Sequence, residues 1–374
     1  MTDPLAIVAT CAPGLEPILA EEIGQTLGTD AVDPTIEPGG VAMRGDADLV
    51  VRANLELGVA SRVLVRVGEL RARAFPELAR KAARIDWTSW IRPGVAVEVS
   101  ATAKRSRLYH SEGIAERIRE AITAQLGPVA DDAPTVTIVA RMHRDVCELS
   151  LDTSGEALHR RGWRLQTAKA PLREDLARAL ILVSGWDRTT PFVDPMMGAG
   201  TLLIEAATMA RGLAPGRLRE FSVVHTQLAD RASVLAQRQR LDAQALARAP
   251  APIVGRDRVE GALRATQGNA ERAGVLDDLD LSIADLHEVP LPSLPPGAVV
   301  TNPPYGKRVR TEGDVRALYA RFGQRVRELG PRWRMAMVSP DARTVAAAKL
   351  GLVSRATTKH GGLSVHLFAR PADD

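Results

Sequence analysis

Apolar and polar positions follow two different rhythms along this chain, and the rhythm changes near residue 171. Before that point, short apolar stretches alternate with turns in a mixed order. "LAIVAT" (5–10) reads as a strand. In "GLEPILAEEIGQTLG" (14–28), Leu15, Ile18, Leu19 and Ile23 recur at helical spacing, so an amphipathic helix ending at Gly28 is expected. "GGVAMRG" (39–45) suggests a second strand and "ADLVVRANLEL" (47–57) a second helix. "SRVLVRVGEL" (61–70) alternates apolar and basic residues, as a half-exposed strand does. Residues 1–70 therefore form one small α+β unit.

A second α+β unit is expected over 71–155. It holds a helix in "FPELARKAARIDW" (75–87) and a period-two strand in "VAVEVSATA" (95–103). A basic turn then feeds a helix in "KRSRLYHSEGIAERIREAITAQLG" (104–127), with Ile114, Ile118, Ala121 and Ile122 on one face. "TVTIVARMHRDVCELSLDTSG" (135–155) suggests two strands joined near His143–Asp145. The polar, basic stretch 156–170 is expected to be a linker. From 171 to 374 helices and strands alternate, which predicts a parallel sheet covered on both faces. The stretch 211–250 breaks that order and suggests a helical insertion.

Composition changes little in this picture. With 45% hydrophobic and 25% charged residues over 374 positions, the chain suits two or three globular domains. Met1–Cys11 has neither a basic start nor a long apolar run, so no signal peptide and no membrane contact are expected. Cys11 and Cys147 match no metal-ligand spacing and the seven histidines are scattered, so no metal site is expected. Reduced thiols suit a cytoplasmic protein. Charge adds more. The net charge is +4 (49 basic against 45 acidic), yet Arg52 to Arg119 carry 14 Lys/Arg against 7 Asp/Glu. A basic stretch in a nearly balanced chain suits a polyanion, or is a solvated arginine-rich face.

Candidate chemistry gathers at the strand ends of the C-terminal region. "VDPMMGAGTLLIEAA" (193–207) runs strand, Gly-x-Gly turn, helix. Gly198 and Gly200 let a ligand approach the backbone closely, and Asp194 at the strand end can hold an ammonium group or cap the turn. The next strands end at Asp257, Asp285 and Asn302. Ligands in open α/β sheets bind along that edge. A single acidic residue there is an ordinary turn residue; four polar residues on one edge suggest a cleft. The fourth strand stops at "NPPYGKR" (302–308), because proline cannot donate to a ladder.

Together, "LHRRGWR", "APLREDLARALILVSGW", "DPMMGAGTLLIEAA" and "NPPYGKR" resemble the THUMP-domain RNA guanine-N2 methyltransferases. That family includes the N-terminal methyltransferase half of the 23S rRNA enzyme RlmL and related tRNA enzymes. The resemblance spans essentially the whole chain. It implies a Rossmann-like class I methyltransferase domain preceded by ferredoxin-like and THUMP domains. The cofactor implied is S-adenosyl-L-methionine. Asp194, Gly198 and Gly200 would line its methionine side, Asp257 its ribose and Asp285 its adenine amine. Pro195, Met197, Thr201 and Asn302 complete the expected cofactor contacts, and Pro171 to Leu176 are expected nearby. Glu205 is expected to be structural. One departure stands out. The family's first motif usually reads Cys then Gly-Ser-Gly, and here it is Met197, Gly198, Ala199, Gly200, which removes a hydroxyl.

The resemblance implies methyl transfer to an exocyclic base amine, a poor nucleophile whose lone pair is delocalised into the ring. Asn302 and the Pro303 carbonyl would accept from the amine hydrogens, Pro304 would stiffen the backbone, and Tyr305 would stack on the base. Structured RNA, as rRNA or tRNA, is the expected partner, with no DNA, and the chain is expected to be a monomer. Lys104, Arg105, Arg107 and His110 would hold RNA at the basic turn. Lys307 and Arg308 beside the site would add phosphate contacts, and Arg161 in the linker would either add another or hold the two domains together. Two alternatives stay open. The Asn-Pro-Pro-Tyr motif also serves transfer to adenine N6 or a glutamine amide, and an RNA chaperone could keep an inactive methyltransferase fold.

Overall fold

The computed structural model describes residues 4–28, 32–165, 172–286, 288, 291–305 and 312–371. The first unit comprises β1 (Leu5–Thr10), α1 (Glu16–Leu27), β2 (Val32–Glu37), β3 (Gly40–Gly45), α2 (Ala47–Glu56) and β4 (Arg62–Arg71). The second comprises α3 (Phe75–Ala82), β5 (Ala96–Lys104), α4 (Ser111–Leu126), β6 (Thr135–His143) and β7 (Val146–Asp152). Both units share one seven-stranded sheet, in the order β2-β3-β1-β4-β7-β6-β5. β4 is the seam. Its first half pairs antiparallel with β1, while its length pairs antiparallel with β7. The period-two pattern did not reveal β2, whose sequence VDPTIE is exposed nearly throughout. Its proline is tolerated because β2 lies at the sheet edge, where one row of donors needs no partner.

The C-terminal domain comprises α5 (Glu174–Ser184), β8 (Phe192–Asp194), α6 (Thr201–Arg211), α7 (Arg231–Gln244), β9 (Ile253–Asp257), α8 (Glu260–Arg272), β10 (Leu279–Ile283), β11 (Ala298–Thr301), α9 (Glu312–Glu328), β12 (Arg334–Ser339), α10 (Ala342–Ala346), β13 (Val353–His360) and β14 (Leu363–Ala369). Its sheet runs β10-β9-β8-β11-β12-β14-β13. The first five strands are parallel; β14 enters antiparallel between β12 and β13. This order reverses direction between β8 and β11, where open α/β sheets form a ligand crevice. The short central strands are buried on both faces, which is why "FVD" and "AVVT" read as apolar runs without alternation.

The described part of the predicted linker, residues 156–165, is packed into the protein. Leu158 and Trp163 are packed in the core that joins the first unit to the C-terminal sheet. That core is continuous from Ile7 and Leu19 through Leu180 and Leu203 to Ala298. The second unit keeps a core of its own, around Trp87, Ile118 and Leu149. The insertion expected at 211–250 carries α7 and braces the C-terminal domain against that unit. Arg92 donates to the carbonyls of Thr226 (2.6 Å) and Ala229 (3.0 Å), and the Gln227 amide donates to the Trp90 carbonyl (2.9 Å).

A ring of buried charge closes the joint. Glu22 of α1 accepts from the amides of Gly58 (3.0 Å) and Val59 (2.8 Å) and from Arg178 Nε of α5 (3.0 Å). Arg178 Nη1 stands 3.9 Å from Glu205 Oε2 of α6. Glu205 Oε1 accepts from Arg161 Nε at 3.1 Å, and Arg161 Nη2 donates to the Gly58 carbonyl at 2.6 Å, back where the ring began. All four side chains are more than nine-tenths buried. Of the two roles expected for Arg161, RNA contact is corrected and the joint between domains is the one found: all three of its nitrogens are committed inside the protein. Gly58 must be glycine here, because a Cβ would lie 2.6 Å from Arg178 Nε.

Removing one member of such a ring leaves an uncompensated buried charge. Glu205→Ala is expected to lower stability by about 3–5 kcal/mol. In urea titration this reads as a lower midpoint at an unchanged m-value.

Candidate active site

Backbone hydrogen bonds build the turn after β8. The Met197 amide donates to the Arg256 carbonyl (3.0 Å) and the Gly200 amide to the Met197 carbonyl (2.9 Å). Gly198 and Gly200 both have positive φ, at 54° and 80°. A Cβ on Gly200 would meet Thr266 Cγ2 at 2.5 Å, so glycine is needed on two counts. α8 holds the turn from the side: Thr266 Oγ1 donates to the Gly198 carbonyl (3.0 Å) and Asn269 Nδ2 to the Ala199 carbonyl (3.1 Å). The carbonyls of the turn are thereby fixed.

Asp194 is buried at the end of β8, and its Oδ1 accepts from Thr301 Oγ1 (2.7 Å) and the Met196 amide (3.1 Å). Burial pushes its carboxyl up to about 7, against the two hydrogen bonds, and the nearby Asp257 adds to the rise. A carboxylate so deeply desolvated is poised to accept a cation. Asp257 at the end of β9 accepts from the Gly198 amide (3.0 Å) and the Val259 amide (3.0 Å). It thus ties the glycine turn to its own strand end and retains lone pairs for a ligand hydroxyl. Asp285 follows β10, half-buried on the same edge.

Asn302 follows β11 directly. Its Oδ1 is buried and has no hydrogen-bond partner among the described residues. An orphaned buried acceptor costs about 1–3 kcal/mol, so its retention at a cleft calls for a ligand donor. Pro303 behind it is buried. The site is therefore assembled from four adjacent strand ends, with Asp194 and Asn302 on the two strands that flank the reversal in strand order.

Several expected contacts change. Tyr305 is buried in the core, and its hydroxyl lies 3.1 Å from His360 Nδ1 at the end of β13. Its ring is packed rather than open for stacking, because the contact with β13 draws it inward. The Met197 side chain is likewise core, so the backbone alone of that residue faces the turn. The Thr201 hydroxyl accepts from Arg164 Nη2 (2.8 Å) and is spent on the linker. Pro195 is buried beside Asp194. Glu205 belongs to the charge ring, as a structural residue. Lys307, Arg308 and Pro171 lie outside the described residues. Lys104, Arg105, Arg107 and His110 stand at the surface of the second unit, and His110 Nδ1 caps α4 by accepting from the Gly113 amide (3.0 Å).

Other participants are not evident from sequence. Thr301 holds Asp194, and a lone polar residue closing "AVVT" is its signal. Thr266 and Asn269 stand three apart in α8 and both are buried, a polar pair on the face turned to the site. Val259 and Ile283 are 53% and 52% exposed beside Asp257 and Asp285, apolar surface suited to a flat ring. Among the described residues no cluster of metal-ligating side chains occurs, and no helix is long and apolar enough to cross a membrane.

Comparison with known proteins identifies the domains. Residues 161–367 match the RMKL-like methyltransferase domain family. Residues 6–64 match the RlmL ferredoxin-like domain, and residues 72–152 the THUMP domain. Among solved structures, SMU.472, described as a putative methyltransferase complexed with SAH, superposes with a TM-score of 0.89 at 28% identity over 100% of both chains. A protein from Clostridium difficile 630, described as a possible methylase, gives 0.88 at 28% identity over 99% of both chains. A protein from Listeria monocytogenes, described as a predicted N6-adenine-specific DNA methylase, gives 0.87 at 30% identity over 98% of this chain and 97% of that one.

The raised Asp194 carboxyl has a measurable consequence. Its folded value, about 7, lies above the usual unfolded value near 3.9. Between those values the native state holds more protons than the unfolded state. The Asp194 contribution to stability is therefore full below about pH 4 and is lost as pH rises through about 7. Urea titrations of the unliganded protein across that window should show this downward slope, and Asp194→Asn should flatten it.

Proposed function

The chain belongs to the RMKL-like methyltransferase family, and from that premise we propose that it transfers a methyl group to the exocyclic N2 amine of a guanosine in structured RNA. The methyl donor is S-adenosylmethionine. It supplies an electrophilic methyl on a sulfonium sulfur, so the protein's task lies on the side of the amine. The residues present suit this cofactor. Asp194 offers a buried carboxylate for its ammonium group, and Gly198 and Gly200 offer a close backbone approach. Asp257 retains acceptor capacity for ribose hydroxyls, and Val259 and Ile283 offer apolar surface for the adenine.

The observation that carries the reading is the orphaned Asn302 Oδ1. An exocyclic amine needs its hydrogens held so that the lone pair is released from the ring. Asn302 Oδ1 accepts one hydrogen and the Pro303 carbonyl the other. Both acceptors are fixed in advance, because the two prolines restrict the backbone and β11 anchors Asn302 in the sheet. Orientation of this kind replaces a strong base, and the proton leaves to solvent after transfer.

RNA as the substrate is supported by the THUMP match over 72–152 and by the exposed basic loop of that unit. A second reading has a specific observation behind it. The Listeria neighbour is described as a predicted N6-adenine-specific DNA methylase, and an adenine amine would meet the same two acceptors.

Asn302→Ala is expected to abolish transfer of labelled methyl to RNA while cofactor affinity, by calorimetry, changes little. Nucleoside analysis of the wild-type product should give N2-methylguanosine. N6-methyladenosine as the sole product would replace guanine with adenine, and a severe loss of cofactor binding in the variant would move Asn302 to the cofactor.

A further inference from the structure

The chain has three tyrosines. Tyr305 and Tyr319 are buried, at 6% and 1% exposure, whereas Tyr109 is 80% exposed. One exposed apolar side chain needs no explanation by itself; the neighbours of this ring are what single it out. Lys104, Arg105, Arg107 and His110 all lie at the surface of the same connection between β5 and α4. None of the three Lys/Arg is in an ion pair among the described residues.

The loop that carries them is held rigidly. Asp145, in the turn between β6 and β7, accepts from the Arg107 amide (2.8 Å) and from Arg73 Nε (2.9 Å). Its own amide donates to Ser106 Oγ (3.1 Å), which in turn donates to the Lys104 carbonyl (3.0 Å). Arg144 and Asp145, at φ 51° and 64°, form the two-residue turn between β6 and β7 that sets the Asp145 carboxylate against the loop, where Arg105 also takes a positive φ of 51°. Leu108 is buried in the core of the second unit and pins the middle of the loop. Buried Leu108 and exposed Tyr109 are consecutive, so the anchor on one side fixes the ring on the other. The chain thus keeps a braced loop that exposes three cations and one aromatic ring on the same short connection.

We propose that Tyr109 is a base-stacking residue, and that this loop binds an unpaired segment of the RNA, with Lys104, Arg105 and Arg107 on the flanking phosphates. The proposal rests on the RNA reading above and narrows its substrate class. Duplex RNA offers phosphates and hydroxyls but keeps its base faces stacked on one another. A free aromatic ring gains contact only from a base that is unstacked. The basic side chains serve either form; Tyr109 serves the single strand.

The test uses the full-length protein and two RNA hairpins, one blunt and one carrying an unpaired tail with the fluorescent base aminopurine. Tyr109→Ala should weaken binding of the tailed hairpin by about five- to a hundred-fold and abolish the quenching of the aminopurine signal. It should leave the salt dependence of binding nearly unchanged, since no phosphate contact is lost. Tyr109→Phe should restore both affinity and quenching. Replacing Lys104, Arg105 and Arg107 together should flatten the salt dependence for both hairpins. Unchanged tailed-hairpin affinity and quenching in Tyr109→Ala, with binding still lost in the triple variant, would overturn the stacking role and leave the RNA reading intact. Failure of the wild-type protein to bind either hairpin would overturn both.

Discussion

The closed ring of Glu22, Arg178, Glu205 and Arg161 is the constraint on which the rest depends. It links α1, α5, α6 and the stretch after β7, and it begins and ends on the two sides of a single residue, Gly58. Buried ions of this kind add little net stability compared with apolar packing, but they tolerate few geometries. Sliding the first unit over the C-terminal sheet by a fraction of a turn would strand four charges in a dry core. The ring and the continuous apolar core around it lock the first unit rigidly to the C-terminal domain.

That rigidity reaches the site through α6. The helix that carries Glu205 begins at Thr201, directly after the glycine turn, and Arg164 ties Thr201 to the same stretch that carries Arg161. From the other side, Thr266, Asn269 and Asp257 fix the turn's carbonyls and the Gly198 amide. The groups left over are the ones a ligand would use. Asp194 is ionisable yet desolvated, and Asn302 keeps an unpaired acceptor. The fixed turn and these two poised groups put structural order where a ligand would bind.

The site's skeleton is legible in the sequence because it lies at strand ends. A polar residue that closes an apolar run is visible without any structure, and Asp194, Asp257, Asp285 and Asn302 all stand out that way. Residues that act through a fold contact do not. Thr266 and Asn269 look like ordinary helix residues until the fold sets α8 against the turn. Tyr305 shows the reverse error. Its place after two prolines suggests an open ring, whereas the contact of its hydroxyl with His360 draws it inward, toward a strand 55 residues away. Arg161 looks like any basic linker residue, and its burial depends on Glu205, 44 positions later.

Period and punctuation are enough to set the alternation of helices and strands after residue 171, the strand that stops at Asn302 and the basic turn before α4. These are local facts, governed by which faces are apolar and where proline and glycine forbid continuation. The fused N-terminal sheet, the charge ring and the exposure of Tyr109 are decided by tertiary contact. Each depends on residues distant in sequence meeting in space, and burial, unlike periodicity, is not a property that a single segment carries.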